Sequence, residues 1–338
     1  MPARTSARRE SVILVFSGGV SLGAYQAGAY EALQEDGSVR PSWFAASSIG
    51  AINAALIAGS APGAAMTSLS RFWAAGEHSP AGHPARPAAG PARHAWNWMS
   101  AIGTRLAGAP GFFYPRLALH LLDRTQSLYD LAPTRAKLET LIDFGRLNAG
   151  EIRITVATTD VESGECVLFD TARGDRITCD HLLASCGFLP EFAAVEMDGR
   201  LLGDGGLSAN APIEPVFDEA DREGRAIFIL DLFARDGGRP GNIAEGLARR
   251  NDLMFGNQTL GRLQAYQKAS KAAGQAKRIF YLSYRAPGHE AGPDRQYDFS
   301  RPTLDDRWQA GRLDMADALQ LLKHGHAAEG ETVLIRRT

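Results

Sequence analysis

A run of five apolar residues leads directly into a glycine-rich turn near the start of the chain. Residues 12–16 include no polar side chain, which is typical of a strand buried on both faces of a parallel sheet. The turn at 17–23 is followed by apolar residues at helical spacing over 24–34. A second strand at 43–47 and an alanine-rich helix at 50–58 come next. Strand, helix, strand and helix in this order predict an α/β fold with a mainly parallel sheet.

Further regular elements follow along the chain. The apolar spacing predicts strands at 152–159, 166–169, 226–232 and 278–284, and helices at 133–143, 181–185, 243–277 and 303–323. The strand at 166–169 is expected to form a hairpin with the strand before it, through Ser163 and Gly164.

Residues 76–114 differ from the rest of the sequence. They are dense in Gly, Pro, Ala and His, which predicts a long insertion without regular structure. The insertion also contains a group of large apolar side chains: Trp96, Trp98, Met99, Phe112, Phe113 and Tyr114. These side chains either form a lid or lipid-facing patch, or fold back onto the core, and both interpretations stay open.

Composition and charge exclude several functions. The chain of 338 residues is 45% hydrophobic and 22% charged, as expected of a folded protein. A formal net charge of −2 provides no basic field for a nucleic-acid backbone, so no nucleic-acid partner is expected. Three cysteines, Cys166, Cys179 and Cys186, are too few for a disulfide framework and form no Cys-x-x-Cys pair. We therefore expect reduced thiols and no metal site.

The sequence also predicts where the protein resides. Its start lacks the long apolar stretch of a secretory signal, and no run of about 18 apolar residues is present to span a membrane. We expect a cytoplasmic protein. Arg4, Arg8 and Arg9 are expected in a solvated tail, with peripheral contact to an anionic membrane as the alternative.

Ser48 occupies the junction between the second predicted strand and the helix after it. A nucleophile elbow needs small residues two positions before and after its serine, and Ala46 and Gly50 provide them. A helix N-terminus at this point also favours a developing negative charge. Serine is, however, a common helix N-cap, and the five-residue pattern alone does not separate the two roles.

The glycine-rich turn after the first strand favours the catalytic role of Ser48. Consecutive backbone N–H groups in such a turn form a concave site for an oxyanion. The competing dinucleotide-binding fingerprint requires glycine at its third position, where Val20 stands between Gly19 and Gly23. No Gly-Lys-Ser/Thr follows either, so a phosphate-binding NTPase loop is also disfavoured.

A serine nucleophile needs a base. Eight histidines are spread along the chain, none in a tight motif-like turn: His78, His83, His94, His120, His181, His289, His324 and His326. Asp204 follows two leucines and precedes Gly205 and Gly206, so its carboxylate is expected at the end of a strand with little steric cover. Asp-Gly pairs also form ordinary turns, so this signal depends on its combination with the others.

Three motifs together resemble those of the patatin-like phospholipase family. The turn from Gly18 is similar to its oxyanion loop, Ser48 with its neighbours to its nucleophile elbow, and Asp204-Gly205-Gly206 to its aspartate motif, in the family's order. Residues 297–308 also resemble a C-terminal extension of one bacterial subgroup.

The resemblance implies a three-layer α/β/α fold and a Ser–Asp dyad without histidine. Ser48 would be the nucleophile and Asp204 the base, with the oxyanion held by backbone N–H groups of the turn: Gly18, Gly19, Val20 and Gly23. Two positions depart from the family pattern. Val20 replaces a glycine, and Leu22 stands where a basic residue is common.

The predicted organisation is an N-terminal tail (1–11), a catalytic domain (12–217) and a C-terminal extension packed on the same domain (218–338). The expected partner is a lipid or acyl-ester substrate, with no cofactor. Two alternatives are a catalytically weak or silent relative that binds lipid or a protein, and a histidine-dependent α/β-hydrolase using His289 or His324.

Overall fold

The computed structural model describes residues 9–74, 90–116, 127–219, 225–272, 277–290, 292, 294–325 and 332–335. Within these ranges the chain forms eleven strands: β1 (Glu10–Phe16), β2 (Val39–Ser47), β3 (Tyr114–Pro115), β4 (Tyr129–Asp130), β5 (Arg153–Asp160), β6 (Cys166–Asp170), β7 (Val195–Met197), β8 (Arg200–Asp204), β9 (Ala226–Asp231), β10 (Ile279–Ser283) and β11 (Thr332–Ile335). The same ranges contain ten α-helices: α1 (Ala24–Asp36), α2 (Ile49–Ala58), α3 (Ala65–Trp73), α4 (Gly90–Ala107), α5 (Ala132–Leu141), α6 (Phe144–Leu147), α7 (Cys179–Ser185), α8 (Glu214–Asp218), α9 (Ile243–Ala272) and α10 (Arg301–Lys323).

Nine of these strands form one sheet. Their order is β11-β10-β9-β1-β2-β5-β8-β7, and β6 pairs with the remaining edge of β5. All pairs from β11 to β5 are parallel, whereas β6, β7 and β8 pair in antiparallel fashion. The prediction of a mainly parallel sheet is confirmed.

Both faces of this sheet are covered. Alternate side chains of a strand point to opposite faces, and in β1 they enter two separate cores. Val12, Leu14 and Phe16 pack in the core that includes α1, α2 and α10. Ile13 and Val15 pack in the core that includes α8 and α9. The apolar run therefore forms a central strand of a three-layer α/β/α fold, as predicted.

The C-terminal ends of β2 and β8 meet along one edge of β5. Ser47 of β2 pairs with Ala157, and Asp204 of β8 pairs with the next residue, Thr158. Thr158 also pairs with β6, as does Ala157, so β6 occupies the opposite edge. β2 and β8 therefore approach each other end to end, and this places the residue after Ser47 beside Asp204.

Helices α1 and α10 touch through their backbones. A Cβ atom added to Gly28 of α1 would lie 1.9 Å from the Trp308 carbonyl oxygen. A Cβ atom added to Gly311 of α10 would lie 1.9 Å from the Tyr25 carbonyl oxygen. Two glycines thus allow α10 to pack against the helix that follows the glycine-rich turn.

The predicted elements are present, with some ends displaced. The strand predicted at 43–47 begins earlier, at Val39. Arg40 and Pro41 interrupt the apolar pattern of its first residues, so the sequence did not reveal this start. β1 begins at Glu10, within the predicted tail.

The prediction of an insertion without regular structure over 76–114 is wrong for its second part. α4 occupies 18 residues of it, whereas residues 75–89 lie outside the described residues. The buried positions of this helix are Arg93, Asn97, Ala101 and Thr104. Because its buried face is mostly polar, apolar periodicity does not reveal it.

Some of the large apolar side chains at 96–114 fold back onto the core, and others are exposed at the surface. Phe112 and Phe113 are buried and pack onto the core. Trp98, Met99 and Tyr114 are more than half exposed, at 52%, 56% and 54%. No helix in the described ranges is both long and apolar enough to cross a membrane.

Candidate active site

Ser48 lies in a strained turn between β2 and α2. Its backbone has φ 55° and ψ −129°, a conformation that residues with a side chain rarely adopt. It occupies the N-cap position of α2, yet its side chain makes no capping hydrogen bond. Its N–H donates instead to Ser185 Oγ at 2.7 Å, and that hydroxyl donates to the Ala157 carbonyl at 2.7 Å. The Ser48 hydroxyl is therefore not used as a helix cap.

The small neighbours of Ser48 are required by close backbone contacts. A Cβ atom at Gly50 would lie 2.7 Å from the Phe16 carbonyl oxygen and 2.8 Å from that of Ser17. Ala46 is completely buried in the core on one face of the sheet. The start of α2 therefore packs directly against the end of β1 and the residue that follows it.

Asp204 ends β8 and faces the same site. Its Oδ1 accepts a hydrogen bond of 2.6 Å from the Gly206 N–H, which orients the carboxylate. A Cβ atom at Gly205 would lie 2.4 Å from the Ala157 carbonyl oxygen, and one at Gly206 would lie 2.8 Å from Asn210 Oδ1. The backbone contact at Gly205 therefore excludes a side chain next to Asp204.

The environment of Asp204 makes its carboxylate a stronger base than usual. Burial raises the pKa of Asp204 from 3.8 to about 7, against the opposing effect of hydrogen bonds from the Ser48 hydroxyl and the Gly206 N–H. Burial, together with the Asp204 charge, also raises the pKa of the neighbouring Cys186 thiol well above its ordinary value. Cys186 is therefore a neutral thiol beside the serine and the carboxylate.

The glycine-rich turn approaches Ser48 closely. A Cβ atom at Gly18 would lie only 2.8 Å from Ser48 Cβ. The Gly18 N–H donates to the Asn210 carbonyl at 3.1 Å, whereas the N–H groups of Gly19 and Val20 form no hydrogen bond with any described residue. Val20 has φ 52°, the left-handed conformation that favours glycine. The glycine-rich turn thus has this conformation even though position 20 is a valine and not a glycine.

Gly23 has a different environment from the other predicted site residues. It does not line the cavity at Ser48, and a Cβ atom there would lie 2.6 Å from Ile49 Cγ1. Its small size lets the start of α1 pack against the start of α2.

A buried arginine of α10 holds the glycine-rich turn in place through hydrogen bonds. Arg307 is fully buried and donates from Nη1 to Ser21 Oγ at 2.6 Å, and from Nη2 to Glu290 Oε2 at 3.0 Å. Ser21 Oγ in turn donates to the Gln296 carbonyl at 2.7 Å. The turn is therefore fixed to residues more than 250 positions away in the sequence.

One apolar cavity contains these groups. Ser48, Asp204, Gly18, Gly19, Val20 and Asn210 all line it. Tyr297 and eight phenylalanines form most of the remaining wall: Phe72, Phe112, Phe113, Phe188, Phe192, Phe233, Phe255 and Phe299. The structure thus brings together all the predicted site residues except Gly23.

The histidine alternatives lie elsewhere or outside the described residues. Among the histidine side chains that the structure describes (His94, His181 and His324), none lines the cavity. His324 ends α10, where its Nδ1 contacts the Gln320 carbonyl at 2.7 Å. The side chain of His289 is not among those described. In the same described ranges, no cluster of His, Cys, Asp or Glu is suited to bind a metal ion.

Ser185, Cys186 and Asn210 are site residues that the sequence did not identify. Asn210 comes six residues after Asp204, and this proximity was its only signal. Ser185 is the last residue of α7 and Cys186 follows it; no recognisable motif surrounds them, and only tertiary packing brings them to the serine.

The fold and this geometry define a three-layer α/β protein with a serine elbow beside a buried aspartate and a glycine-rich turn. The family model described as patatin-like phospholipase matches residues 14–217. The chain therefore belongs to the patatin-like phospholipase family, and this confirms the resemblance seen in the motifs. Membership implies a lipid acyl hydrolase.

Solved structures with similarity to the chain include VipD and ExoU. VipD from Legionella pneumophila is 15% identical, with a TM-score of 0.40 over 89% of this chain and 68% of VipD. The type III effector ExoU is 16% identical, with a TM-score of 0.38 over 93% of this chain and 53% of ExoU. The chain therefore spans about half the length of ExoU. No curated protein sequence matches it.

Proposed function

We propose that the protein hydrolyses carboxylic esters of lipids, with Ser48 as the nucleophile and Asp204 as the only side-chain base. The observation that carries this proposal is that Ser48 and the buried Asp204 carboxylate line the same cavity, where the pKa of Asp204 is raised to about 7 and the Ser48 hydroxyl is close enough to influence it. A base with a pKa near the working pH is well suited to accept a proton in the transition state.

In the first step, the Ser48 hydroxyl attacks the ester carbonyl and its proton passes to Asp204. The oxyanion that forms is held by the free N–H groups of Gly19 and Val20, while Gly18 fixes the turn through its bond to Asn210. Collapse of the tetrahedral intermediate breaks the ester C–O bond, and Asp204 returns the proton to the leaving alcohol. The products are the alcohol and an acyl-serine.

In the second step, water attacks the acyl-serine carbonyl and Asp204 accepts its proton. The same N–H groups hold the second oxyanion. The intermediate then releases the fatty acid, and the proton restores the Ser48 hydroxyl. Atoms and charge balance over the cycle: ester and water give alcohol and acid.

The cavity wall supports an acyl chain as the group bound beside Ser48. Its aromatic rings offer an apolar surface, and Thr134, Asn210 and Gln296 are among its few polar members besides the two reacting side chains. An apolar pocket with a few convergent polar groups is the usual form of a small-molecule site. We therefore infer lipid esters rather than polar esters as the substrate class.

Two variants test the dyad directly. Ser48→Ala should remove turnover of p-nitrophenyl butyrate, and Asp204→Asn should lower it by about 10²–10⁴-fold, because general base catalysis contributes about this much. Circular dichroism should show that both variants remain folded. Full activity in either variant would contradict the assignment.

A further inference from the structure

In helix α4 the buried face is mostly polar and the exposed face is mostly apolar, the reverse of an ordinary surface helix. Such a helix normally buries an apolar stripe and exposes polar residues. Here the buried positions are Arg93, Asn97, Ala101 and Thr104. The exposed positions in its middle and last turns are almost all apolar: Ala95, Trp98, Met99, Gly103, Leu106 and Ala107.

The inward polar face has specific partners. Arg93 donates to Asp306 at 2.8 Å, and Ser100 Oγ donates to Asp298 at 2.7 Å. The Arg105 guanidinium stacks at 4.4 Å over the ring of Tyr297, which lines the cavity. These contacts fix the orientation of α4 with its polar side chains directed toward the protein.

The outward face leaves large side chains in water. Trp98, Met99 and Leu106 are 52%, 56% and 63% exposed, and Tyr114 shortly after the helix is 54% exposed. No aspartate or glutamate occurs in the 18 residues of α4. A group of large apolar side chains exposed on one surface usually marks an interaction site.

This face continues into the wall of the cavity. Phe113, one residue before exposed Tyr114, lines the cavity, and so does Phe112. The segment that follows α4 therefore contributes Phe112 and Phe113 to the cavity wall and Tyr114 to the outer surface.

We propose that the outward face of α4, together with Tyr114, docks on a lipid surface. The proposal rests on the proposed function, because a lipid ester resides in such a surface and its acyl chain must pass from there into the cavity. The chemistry of the face fits: it is largely apolar, α4 contributes no acidic group to it, and it carries Trp98 and Tyr114, whose rings favour the membrane–water interface.

The test measures binding separately from hydrolysis. In Ser48→Ala protein, flotation with egg phosphatidylcholine vesicles should show binding, and adding Trp98→Gln and Met99→Gln should lower the partition coefficient by about tenfold or more. Leu106→Gln alone should lower it by a smaller factor and provides a second variant if the double one is unstable. Leu313→Gln, on exposed Leu313 of α10, is the matched control and should bind as before.

Turnover of soluble p-nitrophenyl butyrate is measured with Ser48 intact. The Trp98→Gln/Met99→Gln variant should stay within about twofold of the unmodified protein, but lose about tenfold or more on phosphatidylcholine vesicles. Absence of soluble-ester turnover in the unmodified protein would contradict the proposed function alone.

Three results would overturn the docking proposal. The first is vesicle binding that none of the α4 variants weakens, and the second is no vesicle binding by the Ser48→Ala protein. The third is a dimer in sedimentation that Trp98→Gln/Met99→Gln converts to a monomer, since a second copy would then cover this face.

Discussion

At the scale of single residues, the site depends on two residues whose backbone conformations are unfavourable for any residue that has a side chain. Ser48 and Val20 both have positive φ, at 55° and 52°. Each such residue costs about 1–3 kcal/mol and persists where the surrounding structure determines it. Gly50 permits the first, because a side chain there would collide with the end of β1. Arg307, acting through Ser21, holds the turn that contains the second.

The raised pKa of Asp204 predicts a pH dependence of the reaction. The carboxylate accepts a proton only when it is ionised, so kcat/KM should rise with pH and reach half its plateau near the pKa of about 7. Initial rates on p-nitrophenyl butyrate between pH 5 and pH 9 provide the measurement. A flat profile between pH 5 and pH 8 would argue against Asp204 as the base.

The same pKa predicts that Asp204→Asn stabilises the fold. The folded-state pKa of about 7 lies above the ordinary 3.8, so the native state loses stability as pH rises from about 4 to 7. Asparagine keeps the acceptor for the Gly206 N–H but carries no charge. Its advantage in the free energy of unfolding should grow by about 2–3 kcal/mol between pH 5 and pH 8. Urea denaturation at both pH values measures this, and an advantage independent of pH would contradict it.

At the scale of elements, the contact between α1 and α10 is the most sensitive to side-chain size. Gly28→Ala or Gly311→Ala should lower the free energy of unfolding by about 3 kcal/mol or more, because the added Cβ meets backbone at 1.9 Å. Gly261→Ala in α9 is the matched control, since nothing lies within 4 Å of its added Cβ. The control should be neutral or stabilising by up to about 1 kcal/mol. Equal effects of all three substitutions in chemical denaturation would refute this account of the helix contact.

The sequence predicts an element well when the element buries apolar residues at a regular spacing. β1, β9 and β10 were found because nearly all their residues are apolar. α4 was missed because polar residues form its buried face. The same reasoning applies to the site. Ser48 and Asp204 have local motifs, whereas Ser185 and Arg307 reach the site only through contacts distant in sequence.

At the scale of the whole molecule, the part of the chain that matches the family model is not the whole sheet. The match ends at residue 217, yet β9, β10 and β11 complete one side of the sheet. β9 lies between β1 and β10, so β1 depends on the C-terminal part of the chain for one of its two neighbours. The predicted domain boundaries stay a prediction, but this pairing bears on how the chain folds.

A truncated chain of residues 1–217 should therefore fail to fold by itself. Without β9, the apolar strand β1 has an unpaired edge, and the core shared with α9 and β10 is lost. We expect no cooperative thermal transition for the truncated chain, while the full chain shows one by circular dichroism. A cooperative transition in the shorter chain would show that residues 1–217 fold without β9, against this expectation.

If Asp204 activates Ser48 as a nucleophile, Ser48 should react covalently with a fluorophosphonate. The purified protein is treated with a fluorophosphonate probe at pH 8, digested and analysed by mass spectrometry. We expect a single adduct on Ser48, formed about 10²–10⁴-fold more slowly in Asp204→Asn protein, because the general base is then missing. A folded protein with no adduct at Ser48, or with equal labelling rates in the two proteins, would contradict it.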